Sequence, residues 1–91
     1  MHEAQLVRDL IAKVAAEAQK QRAVQVRAIE VWRGALCHCT VDQFADLFVE
    51  LSQGTVAEGA QLLVHEGNDP DDPRAAELLL VGVEMEVLDE D

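Results

Sequence analysis

The hydrophobic period of this chain switches between two values, and the order of the switches leaves few folds open. Leu6, Leu10, Ile11, Val14 and Ala18 recur at three-to-four spacing, the stripe of an amphipathic helix. Arg8, Lys13, Glu17 and Lys20 occupy the other face, and neither Gly nor Pro interrupts, so propensity agrees with pattern. The helix should fade near Lys20 to Ala23. From Val24 to Val31 the period drops to two, with Val24 and Val26 alternating against Gln25 and Arg27. The phase slips at Ala28-Ile29, which predicts a bulge or a strand buried on both sides. Gly34 ends this strand. Trp32, the only Trp, is expected to pack, with its indole N–H seeking a partner.

The helical period then returns. Thr40 is a good N-cap, and Gln43 completes a capping box three residues on. Phe44, Leu47, Phe48 and Leu51 line one face, and Gly54 stands where a left-handed C′ residue is expected. Thr55-Val56-Ala57-Glu58 repeats the box pattern and predicts a short turn closed by Gly59. Gln61 to Glu66 reads as a second strand, and Gly67 to Pro73 as a loop on turn chemistry. Leu78 to Val87 reads as a third strand, with Val81, Val83, Met85 and Val87 on one side and Gly82, Glu84 and Glu86 on the other.

The order helix, strand, helix, strand, strand points to an α/β (α+β) fold. We expect a small two-layer domain, a three-stranded mixed sheet covered by two helices. The strand–helix–strand unit should close as a parallel crossover, with the third strand antiparallel. One sheet face is left open, which favours a partner or a homodimer. Ninety-one residues make one domain, 1–91, with a modest core.

The formal net charge is −11, which argues against nucleic acid and anionic membranes, whose phosphates call for Lys and Arg. Much of the acid lies in Asp69 to Asp72 and Glu84 to Asp91, expected to be solvated loop and tail. No stretch is long and apolar enough to span a bilayer, and the start has no signal-peptide pattern, so the expected compartment is the cytoplasm. Cys37 and Cys39 are too close in sequence to staple a loop and should stay reduced there.

The chain opens Met1-His2-Glu3. The terminal amine, the His2 amide nitrogen and the His2 Nδ1 can close adjacent chelate rings on one metal ion. A nitrogen-rich, square-planar set suits Ni(II) or Cu(II) and not Zn(II), Mg(II) or Ca(II). The Glu3 amide or carboxylate, or another side chain, could supply the fourth position. On its own so short a motif is a weak signal, and Glu3 at a helix start also suits the dipole. Cys37-His38-Cys39 is a second candidate, with two thiolates and an imidazole. On an extended corner, however, Cys37 and Cys39 share a face and His38 points away, and buried, reduced thiols are the more ordinary reading. A site shared across a dimer is the strongest version. His65 reads as a half-exposed strand residue. No nucleophile–base pair or phosphate loop stands out, so no enzyme activity is expected.

The start motif, the helix that follows, the corner Gly34-Ala35-Leu36 and the stretch Gly54-Thr55-Val56-Ala57-Glu58-Gly59-Ala60 together resemble the HypA/HybF family. The similarity runs from Met1 to about Glu66 and resumes at Val83-Glu84-Met85-Glu86-Val87. The resemblance implies a protein that delivers Ni(II) to the large subunit of [NiFe]-hydrogenase, working with a HypB-like GTPase. It implies nickel held by Met1, His2 and Glu3, and a first helix, here presenting Arg8 and Lys13, that meets the GTPase. Family members also carry a zinc domain with two Cys-x-x-Cys pairs between the last two strands. This sequence has no such pair, and only residues 67–74 occupy that place, so no zinc is expected. An alternative is an interaction module that binds no metal and docks on a hydrogenase subunit or maturation factor.

Overall fold

Five elements follow one another in the expected order: α1 (Glu3–Lys20), β1 (Ala23–Arg33), α2 (Val41–Leu51), β2 (Gln61–Glu66) and β3 (Leu78–Val87). They are seen in a computed structural model that describes residues 3–87. The sheet order is β2-β1-β3, with β1 parallel to β2 and antiparallel to β3. α1 packs on β1 and β3 and beside α2, and both helices send side chains into one core. The two-layer α+β architecture is therefore the one the periodicity implies.

On α1 the buried set is Val7, Leu10, Ile11, Val14 and Ala18. The expected stripe began at Leu6, which is only half-buried. Leu6 and Val7 are both apolar, and the docking of α1 against the sheet selects Val7, one helical step from Leu10 and Ile11. α2 begins with the predicted reciprocal box: Gln43 N–H donates to Thr40 Oγ1 at 3.1 Å, and Thr40 N–H to Gln43 Oε1 at 3.0 Å. Phe44 and Phe48 are both buried, with ring centroids 6.3 Å apart. The helix is capped at Ser52, so Gly54 lies one residue beyond the C′ position expected for it. It still takes φ +80°, in a turn closed by Thr55 N–H to Ser52 O at 3.0 Å. A second turn places Gly59 at φ +80° before Ala60 N–H reaches Ala57 O at 3.1 Å.

Bulges correct the expected strand phases. Register shifts between β1 and β3 leave three residues without an opposite number: Val24 and Arg27 on β1, Val81 on β3. All three are exposed. Each inserted residue moves the following side chains to the other face. Ala23, Val26, Ile29 and Val31 consequently all join the core, though no single alternation connects them. The slip at Ala28-Ile29 thus has its origin one or two residues earlier, at Arg27. On β3, Leu78 and Leu80 face the core before the bulge, and Val83 and Met85 after it. Val81, expected to share the face of Val83, is instead 57% exposed.

The link between β2 and β3 is short and well tied. Carboxylates of Asp69 and Asp72 accept the backbone N–H groups of Asp71 and Arg74 at 2.9 and 2.8 Å, so this acidic run is turn chemistry. Ala75 is buried, and the corner after β1 is laced to it: Leu36 N–H donates to Ala75 O at 2.7 Å, and Gly34 N–H to Glu77 O at 2.9 Å. A Cβ on residue 34 would overlap the carbonyl oxygens of Ala75 and Arg74, so close backbone approach requires Gly there. Trp32 packs across β1's outer face onto Gly67, where a Cβ would strike its ring.

Gly34→Ala should therefore cost about 1–3 kcal/mol, the range for forcing atoms into a filled space. Urea denaturation checks this; an unchanged midpoint would mean that the two segments separate easily.

Candidate metal centre

Of the start motif, Met1 and His2 lie outside the described residues. Glu3 is the first residue of α1, an acid in the first turn, where the helix dipole favours it. It borders a cleft of about 280 Å³ together with Gln43, Asp46 and Leu47 of α2. The N-terminus of α1 therefore lies against the first turns of α2. This also brings Glu3 close enough for its charge to act on the thiol of Cys39. Glu3 and Cys39, 36 residues apart in sequence, are electrostatic neighbours in the fold.

The second candidate group is a tight corner between β1 and α2. Cys37 and Cys39 are both buried free thiols, while His38 is exposed, the division expected of an extended corner. The corner brings the two thiols together and leaves the imidazole outside. Among the described residues, no group of three or more His, Cys, Asp and Glu is arranged to hold a metal ion. Burial raises the pKa of Cys39, with Cys37 and Glu3 acting in the same direction and the Arg33 charge opposing them. Burial thus favours the protonated form of Cys39, and a metal ion bound there would have to displace that proton.

Arg33 is the residue that periodicity did not single out. Its side chain is only 15% exposed. Its Nε donates to the carbonyl of Cys39, Nη2 donates to the carbonyl of Cys37 at 3.1 Å, and Nη1 pairs with Glu66 at 3.2 Å. The planar guanidinium thus clamps the Cys-His-Cys corner to the ends of β1 and β2. A lone Arg at a strand end carries no pattern that would reveal this. His65 lies exposed on the outer sheet face, its Nε2 against Glu30 of β1. Arg8 and Lys13 are exposed on α1, as a contact surface requires.

Two outcomes follow from this corner. Arg33→Ala should lose about 2 kcal/mol in urea denaturation, since buried carbonyls lose their donors, and Arg33→Lys should recover only part, lacking the fork. The Cys39 shift sets a sign: the native thiol keeps its proton where the unfolded one, of ordinary pKa about 8.5, has lost it. Stability should therefore fall as pH rises through and above that value, and Cys39→Ala should flatten the fall.

This geometry has known counterparts. Residues 1–68 match the family model described as hydrogenase/urease nickel incorporation, metallochaperone, hypA. The match ends at the short link between β2 and β3. A relative from Methylocella silvestris, the hydrogenase maturation factor HypA, is 39% identical over 62 residues, 68% of this chain and 55% of that protein. The chain thus spans about half the length of the curated relative it matches. The solution structure of the Ni metallochaperone HypA from Helicobacter pylori superposes with a TM-score of 0.81 at 20% identity, covering 97% of this chain and all of that one. A second solution structure of a HypA protein gives 0.72 at 19% identity, covering 93% and 96%. At such identities these two structures speak to the fold. The match over residues 1–68, which includes the Met-His-Glu start, and the 39% identical relative place this chain in the HypA family.

Proposed function

We propose that this chain is a nickel-binding accessory protein of [NiFe]-hydrogenase maturation, with Ni(II) as its cargo and no catalytic step of its own. The observation that carries this reading is the family match beginning at residue 1, which takes in Met1, His2 and Glu3. The donors those residues offer, an amine, a backbone amide and an imidazole, fit the tetragonal preference of Ni(II). Glu3, at the start of α1, is a candidate for the remaining position. Cys37, His38 and Cys39 are the secondary candidates in this reading, with the imidazole exposed and the two thiols buried.

The remaining assignments belong to the same proposal. The chain forms a single nickel domain over residues 1–91, with the short link at 67–74 standing where relatives carry a zinc domain, and it needs no zinc. Its partners are the hydrogenase large subunit or a HypB-like GTPase, met through α1 with Arg8 and Lys13. It acts in the cytoplasm; no helix among the described residues is long and apolar enough to cross a membrane. The open outer sheet face, with Leu63 exposed, leaves room for a homodimer.

The short, tightly laced link also favours a second reading. A chain without the inserted module could serve as a docking piece for a hydrogenase subunit or maturation factor, binding no metal.

Calorimetric titration with Ni(II) separates the two, using protein with a verified free Met1 amine and His2→Ala beside it. The nickel reading expects one-to-one binding, weakened at least a hundredfold in the variant. Affinity should also fall as pH drops below about 7, where the amine and imidazole hold protons that the metal must displace. Equal, weak binding by both proteins would overturn it and leave the docking reading.

A further inference from the structure

Four of the seven basic residues, Arg8, Lys13, Lys20 and Arg22, lie in α1 and the turn after it. From Thr40 to Gly59 there is no base at all, and the charged residues are Asp42, Asp46, Glu50 and Glu58. All four are exposed. The ion pairs among the described residues use none of them. Glu58 also accepts the Gly54 N–H at 3.1 Å, which holds its carboxylate at the end of α2. α2 therefore presents an acidic surface of one sign beside the more basic α1.

An apolar groove opens along this helix, with Glu58 in its lining. It runs between the outer side of α2, at Ala45, Phe48, Val49 and Ser52, and the segment Gly59 to Leu62, and it encloses about 480 Å³. Val49 stands on its rim with 63% of its surface exposed, outside the stripe of Phe44 and Phe48 that fills the core. Gly59 is held at φ +80°, with nothing within 4 Å of where a Cβ would stand, so that side of the groove has no side chain. Among the described residues Val49 is the most exposed of the large apolar side chains, and it stands where the groove opens.

We infer that this groove is a docking site for a basic, apolar segment of another protein. An aliphatic side chain of that segment enters between Val49 and Leu62, and its flanking Lys or Arg residues meet Glu50 and Glu58. Charge selects this occupant. The rim repels acidic chains, and two copies meeting through the same face would set carboxylate against carboxylate in a protein already at −11. The groove's lining includes none of Glu3, Arg8 and Lys13, so the inference stands whether or not the chain carries nickel.

The test is an amide NMR titration of the native chain with a short synthetic peptide that sets two Leu among Lys and Gly. Two control peptides replace Lys by Glu or Leu by Ser. Shifts should cluster at Val49, Gln53, Gly59 and Ala60, and each control should bind at least tenfold more weakly. Val49→Lys should weaken the first peptide at least tenfold with an unchanged thermal melt, since the side chain is exposed. Raising salt from 50 to 500 mM should weaken it by about an order of magnitude. Shifts confined to α1 or to the outer sheet face would overturn the inference, as would full binding by Val49→Lys. Shifts at the groove produced by protein concentration alone would overturn it in favour of a second copy. Running the titration with and without Ni(II) keeps this result apart from that of nickel binding.

Discussion

β1 is the strand bonded on both edges, and the other described elements take their places from it. β2 joins it in parallel, β3 antiparallel, and α1 lies across β1 and β3. Its buried residues, Val26, Ile29 and Val31, are completely shielded from water, which makes this strand the centre of the core. Three such residues contribute several kcal/mol of burial to a domain with little core to spare. Bulges let β1 keep apolar side chains inward across a sequence whose alternation breaks. The unpaired residues, Val24 and Arg27, turn to solvent, and Arg27 pairs there with Glu86.

The end of β1 organises the candidate site in the same way. Arg33, its last residue, grips the carbonyls of Cys37 and Cys39, and Gly34 admits the backbone of Ala75. The corner that follows is thus held from two sides before α2 begins at its Thr40 box. Because α2 starts from a fixed point, the first turn of α1 finds a fixed neighbour, and Glu3 comes to rest beside Gln43 and Asp46. The short link from β2 to β3 contributes as well, because Ala75 and Glu77 supply the acceptors that complete the corner.

Charge divides the surface along the same frame. The two helices lie side by side, yet α1 carries three of the seven bases and α2 only acids. α1 balances three bases with Glu3, Asp9 and Glu17, so contacts made by the two helices would differ in kind. On the outer face of the sheet the polar pairs His65–Glu30 and Arg27–Glu86 accompany exposed Leu63, a mixture that leaves this face open to water.

The elements themselves were legible in the sequence because they rest on local interactions. The Thr40–Gln43 box, the stripe of α1, the turns at Gly54 and Gly59 and the loop after Glu66 all involve residues a few positions apart. The Met-His-Glu start and the order of family segments were legible for the same reason. What the sequence left undecided depends on which distant backbones meet. The choice of Val7 over Leu6 follows from the docking of α1, and the exposure of Val81 from a register shift against Glu30 and Val31. The clamp by Arg33 and the nearness of Glu3 to Cys39 join segments that only the closed sheet brings together. Periodicity reports which residues avoid water, but the partner each one meets is settled by long-range pairing, and that exists only in the folded chain.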